Sequence, residues 1–252
     1  MIQAVNISKS FAGKQVLFSI NTDFQRGKIN QIIGTSGSGK TVLLKCLVGL
    51  FEVDKGFVMF DNQNFTKMNF YERKNVRKDI GMLFQGSALF DSMTVEENVM
   101  FPITMFSEMT VEEKRDRVNF CLKRVNLINV NHLYPSELSG GMQKRVAIAR
   151  AIALSPHYLF CDEPNSGLDP ITAILIDNLI KEITVEYNMV TVVNTHDMNS
   201  VIEIGDNINF IYEGKIWWNG NNQEILKSDN KELNDFVFAT EVVRRIKSVS
   251  SK

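Results

Sequence analysis

The chain has 252 residues, 44% hydrophobic and 23% charged, which suits one large α/β domain or one domain carrying an inserted lobe. A net charge of −1 offers no bulk attraction to polyanions, so a nucleic-acid partner is not expected. Cys46, Cys121 and Cys161 are odd in number and far apart without metal-ligand spacing, and they read as small buried hydrophobes in a reducing compartment.

Short apolar runs alternate with longer stretches of helical periodicity, the pattern of an α/β domain. Residues 2–6 and 16–24 read as strands of an N-terminal β-rich part. Ile29 to Ile33 form a strand that runs directly into Gly34-Thr35-Ser36-Gly37-Ser38-Gly39-Lys40-Thr41. Val42, Leu43, Leu44, Leu47 and Leu50 follow on a helix that starts at this loop. Residues 57–60 and 80–84 are further strands.

From about residue 86 to 150 a period near 3.6 takes over, carried by Val95, Val99, Val111, Val118, Leu122 and Val125. This segment reads as a helical lobe inserted into the α/β core, with Pro102 ending or kinking its first helix. Tyr158 to Cys161 is a buried strand, 171–187 a helix and 190–194 another buried strand. Residues 208–212 and 215–218 pair as a hairpin around Glu213-Gly214. One domain is expected over 1–228, and 229–252 is a helical extension. In that extension Leu233, Phe236, Val237, Val243 and Ile246 share a face, near a basic stretch of Arg244, Arg245 and Lys247. Three destinations fit the face: its own domain, a second subunit, or a regulator.

The glycine loop fits G-x-x-x-x-G-K-[ST], in which backbone N–H groups cradle phosphates. A strand before it and a helix after it are the context the motif requires, and the helix N-terminus adds its positive dipole end. Lys40 is expected to reach the β- and γ-phosphates, and Thr41 to place its hydroxyl on Mg²⁺. Asp162-Glu163 follow an apolar strand, at the end where open α/β sheets bind ligands. Asp162 would hold Mg²⁺ through water, and Glu163 would polarise the attacking water as general base. Ser139 can cap the helix beginning near Gln143, and Gly140 and Gly141 let backbone N–H groups approach phosphate. His132 and His157 lack such a setting and read as structural.

With the phosphate loop upstream, Leu138-Ser139-Gly140-Gly141-Met142-Gln143 resembles the signature motif of ABC-type ATPases. The resemblance covers residues 1 to about 225. It implies an α/β fold: an ABC-type P-loop ATPase core with an N-terminal antiparallel β part and an inserted α-helical lobe. It also implies hydrolysis of ATP between two such subunits, so that Ser139, Gly140 and Gly141 meet ATP held by the second chain. By the same resemblance Gln85 is the Q-loop glutamine, which contacts Mg²⁺ or the water and connects to a membrane partner. His196, after the strand 190–194, matches the switch histidine at the γ-phosphate, and Phe11 matches the aromatic that stacks on adenine. Asn165 to Asp169 looks like the D-loop, with Asn165 where many members have Thr; a small effect is expected.

Gly81 to Val95, Pro135 to Met142 and Arg145 to Ala153 resemble the ATPases that serve Mla-type (MCE-associated) lipid transporters. Amino-acid and methionine uptake systems share several of these strings. The implied partners are a second ATPase subunit, an integral membrane permease, an MCE-domain lipid-binding protein and a small accessory regulator. Most Met and Phe residues of 82–106 are expected in the core, with Leu89, Phe90 and Met93 touching the permease. No apolar run approaches the about 18 residues needed to span a bilayer, and Met1 to Val5 lack a secretory pattern. The expected location is the cytoplasmic face of the inner membrane, reached through the permease. The readings that compete are an importer of a small nutrient, a soluble ABC protein of translation or DNA repair, and a nucleotide-binding regulator without turnover.

Overall fold

The computed structural model describes residues 1–238. The chain begins with β1 (Ile2–Phe11), β2 (Lys14–Phe24) and β3 (Lys28–Ile33), then α1 (Lys40–Leu47). β4 (Lys55–Phe60), β5 (Gln63–Asn64), α2 (Phe70–Lys78) and β6 (Ile80–Leu83) follow. Three helices come next: α3 (Val95–Phe106), α4 (Val111–Arg124) and α5 (Gly140–Ala151). The chain continues with β7 (Tyr158–Asp162), α6 (Pro170–Glu186), β8 (Val190–Asn194) and α7 (Met198–Ile204). It ends with β9 (Asn207–Tyr212), β10 (Lys215–Gly220) and α8 (Lys231–Val237). This is the α/β architecture expected, with an antiparallel β part and a helical segment.

Two compact units divide these elements. Of the described residues, the first takes 1–25, 29–67 and 194–238. It holds a four-stranded sheet in the order β2-β1-β4-β5, whose β1 pairs antiparallel with both β2 and β4. It also holds the strand run β10-β9-β3, antiparallel between β10 and β9 and parallel between β9 and β3. Five of the six residues of β3 are buried, the apolar Ile29, Ile32 and Ile33 together with the polar Asn30 and Gln31. Polar Asn30 survives there because its side chain exchanges hydrogen bonds with the backbone of Gln25 at 2.7 and 2.9 Å.

The C-terminal extension, as far as Phe238, packs on this same unit. Leu233, Val237 and Phe238 join Ile33, Val201, Ile208, Phe210 and Ile225 in one buried cluster. Of the three destinations the sequence left open, the structure therefore shows the first for α8. Val243, Ile246, Arg244, Arg245 and Lys247 lie outside the described residues.

The second unit takes residues 26–28 and 68–193. Its strands run β8-β7-β6, with β7 and β6 parallel. All five residues of β7 and of β8 are buried, so each reads as an apolar run rather than an alternation. Three of its helices open on reciprocal capping boxes: Asn69 with Glu72, Thr94 with Glu97, and Thr110 with Glu113. The first of these starts α2, which no apolar periodicity announces because none of its residues is buried. Pro102 does not end α3; the helix runs on to Phe106 with Pro102 inside it. Val95 and Val99, which carry the helical period, bury a face of α3 together with Ile103, whereas Val111, read on the same period, is exposed at the start of α4.

All three cysteines are buried and free, and burial pushes the thiols of Cys46 and Cys121 up to about 12 and about 11. Among the described residues no helix is long and apolar enough to cross a membrane. Removing the side chain of fully buried Leu233 should test the packing of α8. Leu233→Ala is expected to lower unfolding free energy by about 2–5 kcal/mol in denaturant titration. Phe70→Ala, at a side chain 69% exposed, should stay within about 0.5 kcal/mol of the parent.

Candidate nucleotide site

In the first unit, the buried strand β3 delivers the chain to Gly34, and the loop closes on the start of α1. Gly34, Gly37 and Gly39 have φ of 147°, 80° and 108°, a left-handed run that a side chain would strain. A Cβ on Gly34 would stand 2.3 Å from the Ile211 carbonyl oxygen and 2.9 Å from Ser38 Oγ. The hydroxyl of Ser38 is buried without a hydrogen-bond partner, which suits a loop whose remaining partner is an oxyanion. The Lys40 ammonium donates to the carbonyls of Gly34 at 2.9 Å and Thr35 at 3.1 Å, so the lysine wraps around its own loop. Asn194 Nδ2 donates to Thr41 Oγ1 at 3.1 Å. That amide orients the hydroxyl expected to face the cation, and no motif singles out Asn194. Thr35, Ser36 and Gly37 are exposed at the tip, and Val42 is half-buried.

His196 is exposed in the turn that joins β8 to α7. The turn is set by Thr195, whose N–H donates to Ile32 O at 3.1 Å and whose hydroxyl accepts from Asp197 N at 3.0 Å. Asp197 then caps α7 by accepting from Asn199 N at 2.9 Å. Phe11 is exposed at the end of β1, its ring edge-on to Phe51 at a centroid distance of 5.2 Å. Lys9 Nζ lies 5.3 Å from the same ring.

In the second unit, β7 ends at buried Asp162, and the chain turns at once. Glu163 takes φ of 51°, a left-handed conformation unusual for a residue with a side chain. Asn165 does more than its position in the D-loop suggested: its amide donates to the buried carboxylate of Asp177 at 2.8 Å. Asp169 accepts from the N–H groups of Ile171 and Thr172 and from the Thr172 hydroxyl, capping α6. Those bonds, the hydroxyl first, hold its carboxyl below the usual range.

Ser139 caps α5, its Oγ accepting from Met142 N at 3.3 Å. Gly141, two residues further on, has a packing duty as well, because a Cβ there would stand 2.6 Å from Thr172 Cγ2. Ser139, Gly140 and Gly141 line a cavity of about 330 Å³ together with Gly167, Leu168 and Asp169. The signature and the D-loop thus share one surface of this unit.

Gln85 is exposed just past β6, at the start of a segment without regular structure. Three polar side chains hold the backbone of that segment, and sequence reading passed over all of them. Arg150 donates to the carbonyls of Ala88 and Ser87, each at 2.8 Å. Fully buried Asn98 accepts from Phe90 N at 2.8 Å and donates to the carbonyls of Phe90, Met93 and Thr94. Lys144 donates to the carbonyl of Gln85. The missed signal is that each sits among apolar helix positions: a cation or amide at a core-facing position needs a partner.

The comparisons with known proteins agree with this geometry. A family model described as "ABC transporter" matches residues 17–166. The intermembrane phospholipid transport system ATP-binding protein MlaF of Haemophilus influenzae is 36% identical over 237 residues, spanning 94% of this chain and 90% of that protein. The methionine import ATP-binding protein MetN of Clostridium tetani is 36% identical over 245 residues, spanning 96% of this chain and 76% of that one. A solved dimeric structure of the ATP-binding cassette MJ0796, in a post-hydrolysis state bound to ADP and Pi, is 32% identical. It superposes with a TM-score of 0.80, covering 88% of this chain and 99% of its own.

Gly34→Ala should break the loop, since it adds both strain at positive φ and a clash with backbone. Affinity for a fluorescent ATP analogue, read by equilibrium titration, is expected to fall about ten- to hundredfold. Gly37→Ala, with open space at the Cβ position but φ of 80°, should weaken binding less.

Proposed function

The chain belongs to the ABC transporter family of ATP-binding subunits, and we propose that it drives phospholipid movement across a cell envelope as one of two copies bound to a membrane permease. It is an ATPase. The observation that carries the ATP chemistry is the strand–loop–helix at residues 28–47, with its crowded Gly34 and wrapped Lys40.

The role of each residue follows from its chemistry. Lys40 and the N–H groups of Gly34 to Thr41 hold the β- and γ-phosphates as fixed positive charge, and Val42 extends the helix whose N-terminus faces them. Phe11 offers a ring to the adenine. Glu163 accepts a proton from the attacking water, and His196 orients that water against the γ-phosphate. Phosphoryl transfer asks little covalent chemistry of a protein, so positioning and charge carry most of the rate. Bound Mg²⁺ would neutralise phosphate charge, and Thr41, Asp162 and Gln85 are the residues that would hold it. The buried Ser38 hydroxyl and the Thr41 hydroxyl held by Asn194 suit such a magnesium nucleotide.

Two copies would close head-to-tail, each presenting Ser139, Gly140 and Gly141 to the ATP held by Lys40 of the other. The solved relative is dimeric and bound to ADP and Pi, which supports this reading. The expectation that most Met and Phe side chains of 82–106 lie in the core does not hold, because none of the eight is fully buried; Phe90, Phe101, Met105 and Phe106 are exposed, and the rings of Phe90 and Phe101 meet at 4.9 Å, tilted by 55°. Such a surface suits a permease helix, with an MCE-domain protein and a small regulator as further partners. The subunit would then sit at the cytoplasmic face of the inner membrane.

The lipid cargo rests on the Gly81 to Val95 and Pro135 to Ala153 strings and on the named function of the Haemophilus relative. The equal identity to a methionine importer supports a second reading, the ATPase of a small-nutrient importer. Two experiments separate these statements. Glu163→Gln is expected to slow phosphate release by about 10²–10⁴-fold while nucleotide affinity is kept; near-normal turnover would remove Glu163 as base. Purification of the chain from membranes in mild detergent should bring down a multi-span permease, an MCE-domain protein and phospholipid. A permease with a solute-binding protein and no enriched lipid would overturn the lipid cargo and leave the ATP chemistry standing.

A further inference from the structure

Lys144 lies in the second turn of α5, five residues beyond the Ser139 cap, and only 4% of it is exposed. Its ammonium donates to the carbonyl of Gln85, and a second acceptor, the carbonyl of Glu163, lies at 3.5 Å. The Ser166 hydroxyl donates to the same Gln85 carbonyl at 3.3 Å. One carbonyl therefore gathers α5, the segment after β6 and the turn after β7. All of these groups belong to the second unit.

The arrangement is chemically uneconomical as plain packing. A buried ammonium carries a desolvation cost, and an apolar side chain of like volume often stabilises an interior as well or better. Burial lowers the pKa of Lys144, opposed by the nearby Cys161, Asp162 and Glu163. Glu163 meanwhile sits at φ of 51°, a conformation that persists only where its surroundings over-determine it. A donor aimed at the Glu163 carbonyl fixes the peptide plane that follows the residue. The plane in turn fixes the direction in which the Glu163 side chain leaves the backbone.

We propose that Lys144 is a positioning residue for ATP hydrolysis, its ammonium tying the carbonyls of Gln85 and Glu163 so that the carboxylate is aimed only while the Q-loop backbone is in place. The inference rests on the reading of Glu163 as the base. It makes the link between the Q-loop and the turn after β7 a contact within one chain, carried by the helix that bears the signature.

The test uses the full chain, with steady-state phosphate release and separate titration of a fluorescent ATP analogue. Lys144→Met keeps the stem and removes the donors. Its kcat is expected to fall about 10- to 100-fold while KM and analogue affinity stay within about twofold. Lys144→Arg keeps a charged donor and should recover most of the loss. If Lys144→Met does not fold, Lys144→Leu, which also lacks donors, is read in the same way. Turnover within about twofold of the parent in the Met or Leu variant would overturn the proposal. So would a Met variant and an Arg variant that lose kcat, affinity and Tm together, the mark of a purely structural residue. Glu163→Gln in parallel separates the two failures. If it turns over normally, the base assignment falls and this inference with it; if it is inactive while Lys144→Met is active, the inference alone falls.

Discussion

The approach of Gly34 to the carbonyl of Ile211, so close that a Cβ would stand 2.3 Å from the oxygen, sets the path of everything after it. β3 and β9 pair in parallel with Ile33 opposite Phe210, so the loop must leave the sheet alongside the end of β9. Only a residue without a side chain can make that turn at φ of 147°. From there the chain folds under the Lys40 side chain and enters α1 through Gly39 at φ of 108°. Ile33, Phe210, Val201 and Leu233 belong to one buried cluster, so the residue that launches the phosphate loop is anchored by the same packing that seats α7 and α8. The geometry of the cradle is thus a consequence of strand register and core packing, with the loop sequence supplying only the freedom to follow it.

The second unit solves a different problem, which is how to hold an irregular segment rigidly. Residues 84–94 form no helix or strand, and Ser87 and Ala88 both have positive φ. Their carbonyls would be costly to leave unpaired beside a core. Arg150, Asn98 and Lys144 supply the missing donors from α5 and α3. Burial lowers the pKa of the Arg150 guanidinium, which stays charged in any case because its reference value is so high. A salt-dependent surface attraction would let this segment drift; hydrogen bonds from buried donors do not.

How much of this the sequence showed follows from which forces leave a periodic trace. Burial does: the apolar runs that became β3, β7 and β8, and the 3.6 spacing that became α3 and α4, were legible because each element hides a face. The phosphate loop was legible because its backbone demands glycine at fixed offsets. α2 was not, because its nine residues bury nothing and only the Asn69–Glu72 capping box marks it. Pro102 suggested a stop that α3 does not make, since the proline costs one backbone donor and the rest of the helix buries Val95, Val99 and Ile103. Within the candidate site, Lys40, Thr41 and Glu163 carried motif signals. Asn194, Lys144, Arg150 and the Asn165–Asp177 bond did not, because each acts on a backbone or side chain that only the fold brings near.

The exposed aromatics beside the Q-loop segment gain meaning from those buried donors. Phe90 packs at a tilt against Phe101, lies 5.8 Å from the Arg150 guanidinium, and has both its backbone N–H and carbonyl bonded to Asn98. A partner helix gripping Phe90, Phe101 and Met105 would therefore load a segment that cannot yield locally. The displacement has to pass to α3 through Asn98 and to α5 through Arg150 and Lys144. α5 begins at Ser139, and Gly141 is pressed against Thr172 of α6, so the helix cannot shift without the signature and the D-loop side moving too. In a softer segment the same force would be absorbed by backbone rotation. Here buried Lys144 and half-buried Arg150 tie the segment beside the proposed permease surface to the helix that carries the signature.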